Sequence, residues 1–363
     1  MATTESKPRQ TFAPSTAIRS VRSVRDADVR GKHVLVRADL NVPLDEGCVA
    51  DDTRIRASLP TLELLRDRGA ASITVCSHLG RPKEPDSAYS LAPVAARLHE
   101  LFDGEVAVLE NTRFNAGETT DDPGFALALA DGQDLFVQDA FGSVHRAHAS
   151  TVGVARILPA YAGLLLEAEI DHLSRLLGEV EHPFVLVCGG AKVDDKLPVL
   201  RHLGQRADTV LVGGKMAEQL RTAPPLAFPV ELPSDVVAAA RFGADAEAHV
   251  YAPDELPTGW LGLDIGPATR ERFGAVLEAA RTIFWNGPLG VFEWPRFSAG
   301  TEAVAKAVAG ADAYSVVGGA DSLRALNDLG LLRRISWAST GGGASLEFLE
   351  GNELPGIAVI PSA

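Results

Sequence analysis

The residues able to do chemistry in this 363-residue chain fall into two sets. The first is cationic and punctuates the N-terminal half. Short apolar runs end in Arg37-Ala38-Asp39-Leu40-Asn41, in Ser77-His78-Leu79-Gly80-Arg81-Pro82 and in Glu110-Asn111-Thr112-Arg113-Phe114. A fourth ends in Gln138-Asp139-Ala140-Phe141-Gly142 and leads to His145-Arg146-Ala147-His148. Arg54 follows the first run after a short turn. A single Arg is ordinarily a solvated or ion-paired surface group. Recurrence at successive run ends predicts instead a site for a small, multiply charged anion, because guanidinium forks match carboxylate and phosphate oxygens bidentately. His145 and His148 share a helical face, but no third ligand is near in sequence, so zinc is not expected. His33 and His99 read as structural or surface residues.

The second set is rich in glycine. It comprises Gly189-Gly190-Ala191-Lys192-Val193-Asp194-Asp195-Lys196, Gly213-Gly214-Lys215, Trp285-Asn286-Gly287-Pro288, Gly318-Gly319-Ala320-Asp321-Ser322 and Thr340-Gly341-Gly342-Gly343-Ala344-Ser345. Glycine lets backbone N–H groups approach phosphates, and a following helix N-terminus favours negative charge. One such turn is weak evidence; several at one sheet edge predict a nucleotide. Neither a Walker A loop nor a dinucleotide fingerprint is present. Lysine is scarce, at seven against 27 arginines, yet Lys192 and Lys196 both follow one Gly-Gly turn. A compact charge on a flexible stem suits a phosphate that moves. Asp321 reads as a helix N-cap and as a Mg²⁺ ligand, since Mg²⁺ takes one or two carboxylates plus phosphate oxygens.

These residues need a frame. Apolar runs at 34–36, 73–75, 106–109, 135–137, 185–187, 210–212, 283–285, 315–317 and 335–337 alternate with helical patterns such as 58–68, 91–101, 269–280 and 301–309. This alternation indicates βα units and parallel sheets. Nine strands are many for one Rossmann-type domain. The expected fold is α/β: two Rossmann-like three-layer α/β/α domains joined by a hinge helix. The boundary falls near 158–159, and 164–177 reads as the hinge helix, with Leu165, Ile170, Leu173 and Leu177 on one face. Ligands of open α/β sheets bind beyond the carboxyl ends of the strands, where both residue sets lie.

Composition narrows the function classes. At 46% hydrophobic and 23% charged the chain is globular, and its net charge of -14 argues against general nucleic-acid binding. No apolar run approaches the ~18 residues of a membrane span. Cys48, Cys76 and Cys188 are far apart and form no C-x-x-C, which predicts a reduced, cytoplasmic protein without disulfides. Residues 1–22, rich in Ser, Thr and Arg without an apolar segment, read as a disordered tail rather than a secretory signal.

In order, VLVRADLNVP, DDTRI, SHLGRP, ENTRF, DAFGSVHRAHAST, GGAKVDDK, GLDIGP, WNGPLGVFE and STGGGASLE resemble the phosphoglycerate kinase family, from about Ser23 to the end. The resemblance implies a phosphoglycerate-binding domain over 23–160 and a hinge helix plus nucleotide-binding domain over 161–343. Residues 344–363 would return to the first domain. It implies that Asp39, Asn41, Arg54, His78, Arg81, Arg113 and Arg146 hold 3-phosphoglycerate. Lys192, Lys196, Gly214, Asn286, Glu293, Gly318, Gly319 and Ser322 would serve ATP or ADP, with Glu293 at the ribose and Asp321 on Mg²⁺. The implied reaction moves the ATP γ-phosphoryl group reversibly to the carboxylate of 3-phosphoglycerate, giving 1,3-bisphosphoglycerate and ADP. A carboxylate with pKa near ~4 is already ionised at pH 7, so no base is required. Arg54 and Lys192 are the expected catalytic residues, in a monomer that binds neither nucleic acid nor membrane. Two alternatives remain: a kinase for a related phosphate- or phosphonate-bearing acid, and a non-catalytic ligand-binding homologue.

The chain departs from the family pattern. It is shortened between Leu101 and Glu110 and between Leu220 and Ser234. Lys215 and Ala320 stand where glycine is usual, Ser322 where threonine is, and Thr112 where leucine is. Lys215 and Ala320 are expected to alter nucleotide affinity or choice while leaving the acid site intact.

Overall fold

Runs of four or five apolar residues with no polar alternation can be satisfied only by strands covered on both faces. In the computed structural model, which describes residues 20–191, 194–223 and 226–363, they become the centres of two parallel sheets. The first half runs β1 (His33–Arg37), a small hairpin of β2 (Leu44–Asp45) and β3 (Cys48–Val49), α1 (Thr53–Asp67), β4 (Ser72–Cys76), α2 (Ala92–Leu101), β5 (Ala107–Val108), α3 (Pro123–Ala130), β6 (Leu135–Gln138) and β7 (Ala160–Ala162). Its sheet is parallel throughout, in the order β5-β4-β1-β6-β7.

α4 (Leu164–Leu177) then leads to β8 (Phe184–Cys188), α5 (Leu197–Gly204), β9 (Thr209–Val212), α6 (Gly214–Thr222) and β10 (Val230–Glu231). A three-stranded antiparallel sheet follows, of β11 (Val236–Ala239), β12 (Ala248–Tyr251) and β13 (Leu261–Ile265). The chain continues through α7 (Pro267–Glu278), β14 (Thr282–Asn286), α8 (Ala299–Gly310), β15 (Tyr314–Gly318), α9 (Ala320–Asp328), β16 (Trp337–Ser339), α10 (Gly343–Leu349) and α11 (Pro355–Ala358). The second large sheet is also parallel, in the order β10-β9-β8-β14-β15-β16. β6, β8 and β14 are buried at every residue. Each fully buried Leu, Val or Phe there contributes about 1.5–3 kcal/mol.

The α/β class and the parallel sheets are as the sequence predicts. Several details differ. β7, β10 and the whole antiparallel sheet are not foreseen, because β7 and β10 are very short and the antiparallel strands are only partly buried, with polar residues mixed into β12 and β13. Beyond the run at 335–337, pairing covers Trp337–Ser339, because Leu332–Arg334 forms a 3-10 turn just before Ile335. α4 spans the predicted residues, but its buried face is Leu166, Ile170, Leu173 and Leu176. Leu165 and Leu177 sit at the edge of that face, since it must touch both halves at once.

Two expected boundaries are corrected. Residues 1–19 of the expected tail lie outside the described residues, but its end at residue 22 is too late. Val21 bridges Ser362 and Arg22 N–H donates to Pro361 O at 2.8 Å, so these residues belong to the folded body. The break at 160/161 would cut β7, which pairs with β6 through Ala162. The C-terminal segment packs against the first half, where Gly356 N–H donates to Val144 O at 2.8 Å. Among the described residues, no helix is long and apolar enough to cross a membrane.

Candidate active site

Each large sheet reverses its strand order beside one strand: β1 lies between β4 and β6, and β8 between β9 and β14. Crossovers diverge there and leave a crevice at the carboxyl ends. At the first crevice, Asp39, Asn41, Arg54, His78, Arg81, Arg113 and Arg146 line a single cavity of ≈ 470 Å³. They come from the loops after β1, β4, β5 and β6 and from the first turn of α1. Asn41 Oδ1 accepts from Gly80 N–H at 2.9 Å, tying the β1 loop to the β4 loop. Asn111 Oδ1 accepts from the Arg113 N–H at 3.1 Å, and the Arg113 guanidinium donates to Gly80 O.

The cavity is electrostatically unfinished. Burial, then the charges of Arg146, Arg37 and Arg81, push Arg113 down to about 10. Burial and the charges of Arg37, Arg113, Arg54 and Arg146 hold His78 well below its usual range. His145, half-buried beside Arg146, falls to about 4 through partial burial and that neighbouring charge. Cations crowded this closely repel one another, and an anion carrying several charges relieves the repulsion.

The second crevice holds the glycine loops. Lys196, Asn286, Gly319, Asp321 and Ser322 line a cavity of ≈ 590 Å³. Lys196 Nζ donates to Gly189 O at 2.5 Å and to Asn286 O at 3.4 Å. Burial lowers its pKa. Ser322 Oγ accepts from Gly287 N–H at 2.7 Å, joining the loops after β14 and β15. Gly319, at φ +90°, caps α9 in a conformation that a side chain would strain. At Gly189 a Cβ would overlap the Pro288 carbonyl, so glycine is required for these loops to touch. Gly318 ends β15 behind them.

Two nucleotide candidates, Gly214 and Glu293, lie elsewhere. Gly214 lines a separate, largely apolar cavity of ≈ 260 Å³ with Val236, Leu256, Trp260 and Leu289. Glu293 is half-exposed and pairs with Arg324 at 2.9 Å. Lys192 lies outside the described residues. Lys215 pairs with Glu218 at 2.6 Å on the exposed face of α6, whereas Ala320 faces the larger cavity beside Asp321.

The two larger cavities meet: Asp195, Gly342 and Gly343 line both. Arg54 spans this seam. Its Nη1 donates to Asp39 Oδ2 at 2.7 Å and its Nη2 to Thr340 O at 3.1 Å. Thr340 is held in turn by buried Glu169 of α4, whose Oε1 accepts from the Thr340 N–H and Oε2 from Trp337 Nε1, both at 2.9 Å.

Sequence reasoning passes over Glu118 entirely. This carboxylate is fully buried and accepts from Ser150 N–H at 3.0 Å, Ser150 Oγ at 2.6 Å and Thr112 Oγ1 at 3.2 Å. Burial alone would raise its pKa. The hydrogen bond with His148, the charge of Arg37 and the Ser150 donors outweigh burial and hold it at about 2. The unusual Thr112 thereby gains a physical reason. A lone Glu in a turn-rich stretch gives no sequence signal, because its partners are far apart in the chain. Among the described residues no group of three or more His, Cys, Asp and Glu side chains could hold a metal.

The likeness to known proteins covers nearly the whole chain. The family model described as phosphoglycerate kinase matches residues 24–227 and 220–352. Phosphoglycerate kinase of Rubrobacter xylanophilus is 50% identical over 386 aligned positions, covering 94% of this chain and 98% of the relative. That of Thermus thermophilus is 48% identical, covering 94% of this chain and all of the relative. Among solved structures, phosphoglycerate kinase from Coxiella burnetii superimposes with a TM-score of 0.83 at 37% identity, covering 93% of this chain and 98% of that one. With this breadth of match, and an arginine-lined cavity abutting glycine loops, the chain belongs to the phosphoglycerate kinase family.

Proposed function

We propose that this protein transfers the γ-phosphoryl group of ATP reversibly to the carboxylate of 3-phosphoglycerate, giving 1,3-bisphosphoglycerate and ADP. One observation carries the reading. All seven residues expected to hold the acid line one cavity, and it meets the glycine-loop cavity at Asp195, Gly342 and Gly343. Asp39, Asn41, Arg54, His78, Arg81, Arg113 and Arg146 hold the acid. Lys196, Asn286, Gly318, Gly319 and Ser322, with Lys192, serve the phosphates. Gly214 borders the base pocket and Glu293 the ribose.

The substrate carboxylate is the nucleophile, so the protein's task is in-line positioning and neutralisation of the moving group. Arg54, at the seam, and Lys192 supply that neutralisation. Closure of the two units about α4, taken as residues 20–162 with the C-terminal segment and residues 178–342, excludes water from the transfer. Asp321 fits Mg²⁺: its carboxylate borders the larger cavity, and one carboxylate plus phosphate oxygens is a usual Mg²⁺ set. Bound there, the ion would neutralise phosphate charge. Three unpaired cysteines suit a cytoplasmic enzyme, and exposed large apolar residues that, among the described residues, are few and mostly far apart in sequence suit a monomer.

The test is a coupled assay with 3-phosphoglycerate, ATP and Mg²⁺. Turnover of about 1–100 per second supports the reading. Turnover only with another phosphorylated acid, or binding of both ligands without turnover, overturns it.

The departures at the nucleotide site separate under this reading. Ala320→Gly opens space beside Asp321 and is expected to tighten ATP and ADP binding more than threefold, about 0.7 kcal/mol. Lys215→Gly, at a residue already paired with Glu218, is expected to change neither. Calorimetric titration checks both, with 3-phosphoglycerate as the control ligand. Equal affinities in the wild type and Ala320→Gly would show that the added methyl is neutral.

A further inference from the structure

The buried Arg37 is the one arginine of the rim that does not line the cavity, and all its donors are occupied. It is 1% exposed at the end of β1. Nε donates to Ser150 Oγ at 2.9 Å. Nη1 donates to Ala38 O at 2.5 Å and Ser77 Oγ at 3.3 Å. Nη2 reaches Ser143 Oγ at 3.5 Å and His78 Nδ1 at 2.8 Å. These five contacts match the five N–H groups of a guanidinium, which has no acceptor. His78 Nδ1 must therefore present its lone pair, so the ring is neutral and its proton sits on Nε2. A doubly protonated ring would set an N–H against an N–H. His78 is 8% exposed and lines the cavity, so Nε2–H is the ring donor left for the cavity's occupant.

The orientation is enforced from behind. Ser150 Oγ accepts from Arg37 and donates to Glu118 Oε1 at 2.6 Å, so the hydroxyl has one allowed direction. Glu118 supplies the counter-charge that keeps a guanidinium in the interior. The chain of bonds runs from the Glu118 carboxylate through Ser150 and Arg37 to His78.

We propose that Arg37 is a positioning residue that, backed by Ser150 and Glu118, fixes His78 as the neutral Nε2–H tautomer and so supplies the acid cavity with an uncharged, pH-insensitive hydrogen-bond donor. The proposal deepens the phosphoglycerate reading for the cavity's ligand, but its core is a property of the free protein. A donor of this kind orients an oxygen without adding to the charge already crowded there. The imidazole would hold the acid and leave phosphoryl neutralisation to other groups.

The experiment is nitrogen NMR of the full chain labelled with ¹⁵N-histidine and ¹⁵N-arginine, without ligand. At pH 7, His78 is expected to show an acceptor-type Nδ1 and a protonated Nε2, with no titration between pH 6 and 8. A through-hydrogen-bond ¹⁵N–¹⁵N coupling should link Nδ1 to an arginine Nη. An Nδ1–H tautomer, an imidazolium or the absence of that coupling overturns the proposal, whatever the enzyme phosphorylates. In Arg37→Lys, which keeps the charge but not the fork, Nδ1–H should become populated. The KM for 3-phosphoglycerate should rise about tenfold, with kcat within threefold. An unchanged tautomer in a folded variant would show that Arg37 is not the determinant; if the variant fails to fold, the wild-type coupling decides. Wild-type spectra as expected, with no binding of 3-phosphoglycerate, would uphold the tautomer lock and overturn only the ligand assignment.

Discussion

Arg54→Ala is expected to lower kcat on the order of 10³-fold while changing the KM for 3-phosphoglycerate far less. Arg54 sits where the two cavities meet, bonded to Asp39 on one side and to the Thr340 carbonyl on the other. Neither partner is a good final resting place for both ends of the fork. Thr340 O is a neutral acceptor, and the Asp39 carboxylate takes a single Nη1 bond. A bidentate phosphoryl oxygen pair is a better partner, and it is available only while the phosphoryl group crosses the seam. An interaction made mainly in the transition state appears in kcat rather than in binding. Steady-state kinetics with both substrates varied reads this directly. A variant with near-normal kcat would remove Arg54 from catalysis.

The second large effect concerns stability. Glu118→Gln is expected to destabilise the protein by about 3 kcal/mol at pH 7. The carboxyl falls from an ordinary 4.5 to about 2 in the folded protein. A depressed carboxyl contributes stability that is complete above the unfolded pKa and disappears as pH falls through the folded one. The gap between wild type and variant should therefore close progressively between about 4.5 and about 2. Glutamine keeps the volume but removes the counter-charge of Arg37 and sets an amide where Ser150 N–H and Oγ both donate. Urea unfolding at a series of pH values measures the gap. A gap below about 1 kcal/mol at pH 7, or one that stays constant into acid, would show that the buried carboxylate is not what holds this network.

These two residues mark the division between what is local and what is not. Arg54 is legible in the sequence, since it falls in a motif and belongs to a series of cations after successive strands. The strands themselves are legible because a parallel strand covered on both faces needs an unbroken apolar run, as in β8 and β14. The connecting helix α4 is legible because its apolar residues recur at helical spacing, although which leucines are buried depends on two halves pressing on it.

Tertiary structure alone decides the rest. Glu118 gains its role from Ser150, His148 and Arg37, residues brought to it from other strands and turns. The tautomer of His78 is set by a guanidinium on the neighbouring strand. Lys215, a departure that reads as a functional change, is held by Glu218 one turn along α6, while Ala320 faces the cavity. The antiparallel β11–β13 sheet has one apolar strand, Val236–Ala239, and two of mixed polarity, so no series of apolar runs announces it. Burial, a shifted pKa and the partner of a donor depend on distances between residues remote in the chain. Composition and periodicity carry strand, helix and motif because those depend only on neighbours.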